Sequence, residues 1–87
     1  MLDMVNNRGF YTMTLKEIMP GQSCIVTQLF TNNLRKRIID MGLITGTKIY
    51  VKKTAPLGDP MEIVVRGYAL TLRKAEARTI MVERIEE

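Results

Sequence analysis

Short apolar segments separated by turn residues fill the chain from about residue 23 to residue 82 and constrain its fold most strongly. Apolar and polar residues alternate in several of them with a period of two, which is typical of strands buried on one face. Four predicted strands cover residues 23–30, 46–52, 61–66 and 80–82, and a fifth, after a tight link at Gly67-Tyr68, carries Leu70 and Leu72. Because strands this short leave exposed edges in a flat sheet, we expect the sheet to curl. The sequence therefore predicts a mainly β fold, a small SH3-like or OB-like barrel of about five strands.

One clear helix is predicted between the first two strands, from about Asn32 to Met41. At 100° per residue, three apolar side chains form its buried stripe: Leu34, Ile38 and Met41. Gly42 is placed to end the helix in a left-handed conformation that a residue without Cβ adopts freely. Ile39 lies about 140° around the helix from Leu34, so we expect it to be exposed.

Local signals also predict two single helical turns and an N-terminal extension. Thr14 and Glu17 have the spacing of a capping box, and residues 74–78 suffice for one turn only. Residues 1–12 lack any hydrophobic period, so we expect a loosely ordered extension there. The remaining residues, 13–87, are predicted to form one domain, since 87 residues support a single modest core.

Composition excludes several classes of function. The chain contains no histidine, which removes the commonest general acid or base and the commonest transition-metal ligand. Cys24 is the single cysteine, so no disulfide can form within the chain, and we expect it to be a small buried side chain. No stretch has the roughly 20 mainly apolar residues of a spanning helix, so we predict a cytosolic protein that is not itself membrane-spanning. We also predict that the protein carries no cofactor.

Three stretches together resemble the FeoA family, the small cytosolic component of bacterial ferrous iron uptake. The first is Arg37-Ile-Ile-Asp-Met-Gly-Leu, and the second is Pro56-Leu-Gly-Asp-Pro before a strand. The third runs from Arg66-Gly67 through Leu72-Arg73 to Ala77, Ile80 and Val82. The resemblance spans about residues 14–84 and departs locally at Thr45, where such proteins often have proline. It implies an SH3-like barrel, in agreement with the strand pattern.

The resemblance also implies a function and a partner. FeoA proteins are thought to act on FeoB, the membrane transporter with a cytosolic GTPase domain, as non-catalytic accessories in Fe²⁺ uptake. We therefore expect a cytoplasmic regulator that its FeoB partner recruits to the inner face of the membrane. Self-association stays open, and no carboxylate arrangement in the sequence argues for an Fe²⁺ site.

Partner contacts are predicted on the helix and on the proline-containing loop. Arg35 and Arg37 belong to the only basic triplet, and Ile39 between basic neighbours suits a small docking patch. The full set of candidate contact residues is Arg35, Arg37, Ile39, Met41, Leu43, Leu57, Pro60 and Arg73. For Met41 and Leu43, packing in the core is a simpler interpretation than contact with a partner. For the basic triplet, the simpler interpretation is a helix face exposed to solvent.

A small barrel that binds nucleic acid is the alternative from another class. Such barrels combine a basic groove with aromatic stacking platforms. The net charge is +4, but only five aromatic residues occur: Phe10, Tyr11, Phe30, Tyr50 and Tyr68. Two of them lie in the extension, so we expect no nucleic acid among the partners.

Overall fold

The computed structural model describes residues 13–85, which form one six-stranded antiparallel sheet and four short helical segments. The strands are β1 Met13–Thr14, β2 Ser23–Leu29, β3 Lys48–Thr54, β4 Met61–Val65, β5 Tyr68–Leu72 and β6 Ile80–Ile85. The helices are α1 Arg35–Asp40 and α2 Lys74–Ala77, with 3₁₀ turns at Leu15–Glu17 and Pro56–Gly58. The strand order is β1-β6-β2-β3-β4-β5. The predicted mainly β class and the helix between the first two predicted strands are confirmed.

The prediction missed strand β1, which makes six strands instead of five. Its two residues pair with β6, Met13 opposite Val82 and Thr14 opposite Met81. Two residues are too few to show an alternating pattern, so this strand becomes visible only through its distant partner. Thr14 also precedes the first 3₁₀ turn, where its backbone N–H donates to Glu17 Oε2 at 3.3 Å, as the capping-box spacing predicts.

Alternation of side chains puts one face of the sheet in the core. Met61, Ile63 and Val65 of β4 are buried, as are Ile49 and Val51 of β3. A two-residue turn joins β4 to β5, and Arg66 and Gly67 both have positive φ there (52° and 82°). Such a turn matches the twist of the paired strands. The sequence predicts the tight link one residue later, at Gly67-Tyr68, because Gly67 has a local turn signal and the positive φ of Arg66 has none.

Helix α1 is shorter than predicted, but it ends where the sequence indicates. It begins at Arg35, and Asn32 Oδ1 accepts a hydrogen bond from the Leu34 N–H at 2.9 Å ahead of it. Gly42 has φ +87°, and the Leu43 N–H donates to the Ile38 carbonyl at 3.2 Å. This is the pattern that closes helices through a left-handed glycine. It brings Ile38 and Leu43, both completely buried, into the core.

Other predictions are confirmed by the packing, and some fall outside the described residues. Cys24 is completely buried in β2, and residues 74–77 form the single turn α2. In the part of the chain from 13 to 85, no helix has the length and apolar character that a membrane crossing requires. The expected extension, residues 1–12 with Phe10 and Tyr11, lies outside the described residues, so its boundary stays a prediction.

Candidate docking surface

The loop between β3 and β4 presents an exposed leucine in an unfavourable backbone conformation. Leu57 has φ 70° and ψ 6°, and 92% of its surface is exposed. A bulky side chain at positive φ is uncommon, because Cβ then crowds the following carbonyl group. No burial compensates for this conformation, so neither packing nor backbone preference explains a leucine here.

Hydrogen bonds hold this loop firmly in place. The Ala55 N–H donates to the Pro60 carbonyl at 3.0 Å, and the Gly58 N–H donates to the Ala55 carbonyl at 2.8 Å. Asp59 Oδ1 accepts a hydrogen bond from the backbone N–H of Lys74 at 3.1 Å, which ties the loop to the start of α2. These bonds hold the backbone on both sides of Leu57 in place.

A groove beside this loop brings together three of the predicted contact residues. It has a volume of about 330 Å³ and lies between α1, the loop, β5 and α2. Its lining is Arg37, Asp59, Pro60, Thr71, Arg73 and Glu76. A second groove, of about 360 Å³, shares Pro60 and Thr71 with it. The elements thus converge on one continuous surface around Pro60 and Thr71.

Glu76 organises the charges in the groove. Its carboxylate is buried, and it accepts hydrogen bonds from Arg37 Nε and, at 2.9 Å, from the Arg73 backbone N–H. Burial by itself would raise the pKa of Glu76, but these hydrogen bonds and the charges of both arginines outweigh it and lower the pKa. The carboxylate is therefore ionised at neutral pH and fixes the Arg37 guanidinium at the groove wall.

Arg73 carries an exposed positive charge that also acts on the buried carboxylate of Glu76. Among the ion pairs of residues 13–85, none joins its guanidinium to a carboxylate, and its side chain is exposed. Arg37 also remains partly exposed while it pairs with Glu76. The groove therefore holds two exposed cationic groups, Arg37 and Arg73, beside the carboxylates of Asp59 and Glu76.

The helix residues of the predicted patch do not all join this surface. Arg37 and Ile39 point about 160° apart on α1, and Ile39 is 37% exposed on the flank away from Arg37. Arg35 is exposed and Met41 is half-buried. Leu43 is completely buried, so it offers no surface to a partner, and the simpler interpretation of it as a core residue is the one the structure supports.

Three residues of the groove were not among the predicted contacts: Asp59, Thr71 and Glu76. The signal for Glu76 was present, since it lies three residues after Arg73 at the spacing of a helix N-terminal cap. The signals for Asp59 and Thr71 were absent, because their roles depend on contacts with Lys74 and Pro60 that only folding creates. Residues 13–85 contain no group of three or more His, Cys, Asp or Glu placed to hold a metal ion.

The exposed tyrosines do not form one stacking platform. Tyr50 pairs with Val64 and Tyr68 pairs with Val65. Because successive residues of β4 point to opposite faces of the sheet, the two rings lie on opposite faces. A third groove, of about 380 Å³, contains Tyr50 with Lys48 and Arg66, so one aromatic ring has basic neighbours. A single ring provides much less than the repeated stacking that single-stranded nucleic acid needs.

Comparison with known proteins identifies the family of this chain. The model of the FeoA domain family matches residues 13–84. The Fe(2+) transport protein A/Fe(2+) transporter FeoB fusion protein of Porphyromonas gingivalis is 35% identical over 74 residues. That match covers 84% of this chain and 9% of the fusion protein, so the chain spans a small part of that relative.

Solved structures show the same fold. The FeoA-like protein from Clostridium acetobutylicum superposes with a TM-score of 0.81 at 39% identity, covering 87% of this chain and 90% of that protein. FeoA of Stenotrophomonas maltophilia, an SH3 domain protein in complex with zinc, has a TM-score of 0.71 at 24% identity. That match covers 80% of this chain and 88% of the other. The predicted SH3-like class is confirmed by this likeness in fold.

Proposed function

Because the chain belongs to the FeoA domain family, we propose that it is a non-catalytic cytoplasmic accessory protein of ferrous iron uptake that binds and regulates a FeoB-type transporter. The fusion protein of Porphyromonas gingivalis supports this proposal, since one polypeptide there carries both components. A covalent link raises the effective concentration of two modules for each other, which is useful where the modules bind. Separate chains must supply the same proximity through a docking surface.

Leu57 is the observation that carries the proposed docking surface. Positive φ costs a non-glycine residue on the order of 1–2 kcal/mol, and exposure of the side chain brings no compensating burial. Strained residues that the surrounding structure holds in place are concentrated at functional positions. We therefore assign Leu57 as the apolar anchor of the contact, with Pro60 in the same loop and with Arg37 and Arg73 of the groove beside that loop as the basic groups.

Regulation without catalysis fits the chemistry of the chain. Histidine is absent, and the thiol of Cys24 is buried, so neither residue can act on a bound substrate. An accessory protein of this kind acts by binding one conformation of its partner more tightly than another. We propose that the bound conformation belongs to the cytosolic GTPase region of the transporter, and that the affinity depends on nucleotide.

A pair of matched substitutions tests the surface. Leu57→Asp removes the exposed leucine, and aspartate tolerates positive φ better than leucine does, so the fold should be retained. Ile44→Asp is the control, since Ile44 is 48% exposed and precedes β3, whereas Leu57 follows it. The seven residues of β3 separate the two positions by about 20 Å. Both variants would be titrated with the cytosolic region of the same organism's FeoB-type transporter, with and without GTP.

We expect Leu57→Asp to weaken binding about tenfold or more, as loss of an apolar anchor does. Ile44→Asp should bind like the original protein, and amide shifts on binding should cluster at residues 55–60 and near Arg73. Equal binding by both variants would show that Leu57 is not the anchor. Absence of binding by the unsubstituted protein would overturn the proposed partnership with the cytosolic region.

A further inference from the structure

Strand β5 forms one edge of the sheet, and its outer side is open. It pairs with β4 alone. At the opposite edge, β1 has only two residues, whereas β5 runs over the five residues Tyr68–Leu72. Open edges of this length are templates for another strand, and proteins usually shorten or cover them.

The register of the hairpin identifies the backbone groups that face outward. Val65 and Tyr68 flank the two-residue turn and therefore exchange hydrogen bonds with each other. Alternation makes Leu70 and Leu72 the next residues bonded to β4, so the N–H and C=O groups of Ala69 and Thr71 point away from it. Ala69 and Thr71 are both exposed, and within residues 13–85 no other strand or loop pairs with this edge.

Basic residues flank the open strand at both ends. Arg66 precedes it, and Arg73 and Lys74 follow it. In the described part of the chain, none of these three side chains forms an ion pair, and Arg66 Nη1 contacts only the neutral carbonyl oxygen of Gly42, at 3.3 Å.

The three carboxylates nearest the edge already have partners. Glu62 Oε2 lies 3.6 Å from Lys52 Nζ, and Glu62 Oε1 lies 3.8 Å from Lys53 Nζ. Glu76 is bonded to Arg37, and Asp59 accepts the backbone N–H of Lys74. Within residues 13–85, none of these carboxylates forms an ion pair with Arg66, Arg73 or Lys74, although the charge of Arg73 acts on Glu76, so the edge carries an excess of positive charge.

This charge pattern distinguishes between the strands that could pair with β5. In a symmetric antiparallel pairing of two copies about Leu70, Arg66 of one copy would lie opposite Lys74 of the other, at both ends. Like charges opposite each other across strands are destabilising, so a second copy is a poor occupant. An extended segment with acidic residues near its ends would place opposite charges at the same positions.

We propose that the β5 edge accepts an extended, acidic segment of the transporter partner as a seventh strand of the sheet. Ala69 and Thr71 would supply the main-chain hydrogen bonds, while Arg66 and Arg73 would contact acidic side chains. This addition of a strand is a known mode of peptide recognition, in which backbone bonds give affinity and flanking groups give specificity. The inference rests on the proposed function, and the edge continues the surface around Pro60, since Thr71 and Pro60 line both grooves.

Substitution by proline tests the hydrogen bonds directly. Thr71→Pro removes an N–H that points outward, so the ladder with β4 keeps its bonds, and proline is tolerated at such edge positions. Thr71→Val is the matched control, because it changes the side chain and keeps the N–H. The spectrum of each free variant would establish that it folds. Binding to the cytosolic region of the FeoB-type transporter would then be measured by titration at two salt concentrations.

We expect Thr71→Pro to weaken binding about tenfold or more, since it loses a hydrogen bond and adds a ring that blocks the approach of a strand. Thr71→Val should bind within a few-fold of the original protein, and higher salt should weaken binding. In the unsubstituted protein, hydrogen exchange at the amides of Ala69 and Thr71 should slow when the partner is bound. This measurement needs no variant.

The outcomes separate the two proposals. If the unsubstituted protein binds, but Thr71→Pro binds equally well and the two amides exchange as fast as before, the edge proposal is wrong and the proposed function stands. Binding that does not respond to salt would overturn the acidic character of the segment. If the unsubstituted protein does not bind, the proposed function fails and the edge proposal fails with it. Pairing of the β5 edges of two copies would appear as dimerisation, and this result would also overturn the edge proposal.

Discussion

Charged residues of this protein contribute differently to its stability, depending on how deeply they are buried. Lys36 and Asp40 pair on the exposed face of α1 at 3.1 Å, as their spacing predicts, and such pairs contribute only a few tenths of a kcal/mol. Glu76 is buried and joins α2 to α1 through Arg37. Removal of one partner from a buried charged contact leaves the other unsatisfied, so Glu76 is the carboxylate with the larger effect on stability.

The lowered pKa of Glu76 makes part of the stability depend on pH. A carboxyl group whose pKa is lower in the folded protein stabilises the fold above its unfolded pKa, near 4.5, and loses that contribution as pH falls through the folded value. We expect Glu76→Gln to be less stable than the original protein at pH 7. The difference in free energy of unfolding should narrow towards pH 3. Urea unfolding of both proteins at pH 7 and at pH 3 measures this difference in free energy.

Glu83→Gln serves as the control, because Glu83 is exposed on β6 and carries the same charge. Its free energy of unfolding should stay within about 0.5 kcal/mol of the original at pH 7. A difference for Glu76→Gln that is the same at pH 7 and pH 3 would contradict the assigned role of its ionisation.

At the level of elements, α1 depends on the core for its existence. Six residues are too few for a helix to be stable by itself in water. Burial of Ile38 and closure of the helix end at Gly42 and Leu43 supply the missing stability. The helix is thus an element that tertiary packing holds in place, and through Arg37 it fixes one wall of the groove.

Substitution of Ile38 therefore tests how much the packing of α1 contributes to the stability of the fold. Ile38→Ala should lower the free energy of unfolding by about 2–5 kcal/mol, because it removes a completely buried side chain and leaves a cavity. Ile39→Ala, next to it and 37% exposed, should cost about 1 kcal/mol or less. The urea midpoints of the two variants measure the difference. Similar midpoints would show that α1 contributes little to the fold.

At the level of the whole molecule, one core connects all the strands. Total stability for a chain of 87 residues is on the order of 4–13 kcal/mol, so loss of one large core side chain removes a substantial part of it. Cys24 lies in the middle of this arrangement. Its strand, β2, lies between β3 and β6. Cys24 is opposite Ile49 of β3 and opposite Arg84 of β6.

Cys24 therefore reports on global unfolding. Burial raises the pKa of its thiol to about 12, so the thiolate that reacts with thiol reagents is scarce in the folded protein. We expect native protein to react very slowly with a disulfide reagent at pH 8, and denatured protein to react completely. Ile38→Ala should speed the reaction about tenfold for each 1.4 kcal/mol of stability that it loses, since labelling follows the population of the unfolded form. Rapid complete labelling of native protein would show that β2 opens locally.

Much of the fold could be predicted from sequence because its signals are local. Alternation at Met61, Ile63 and Val65 identified β4, and Gly67 marked the tight link after it, which was predicted one residue too late, at Gly67-Tyr68. The Thr14–Glu17 capping box and Gly42 placed the first helical turn and the end of α1. Each of these features involves residues within a few positions of one another, so the interactions that form it are already specified along the chain.

Contacts between distant residues were decided only by the tertiary structure. Arg37 and Glu76 are 39 positions apart, and nothing in either local sequence indicates that they meet. Packing of α1 against the sheet also buries Leu43 and brings Arg37 to the groove, so the contact patch predicted from sequence is divided. The sequence by itself thus determined the elements and their turns. The way the strands pair and the helix packs determined the docking surface, because it depends on which distant side chains share one face.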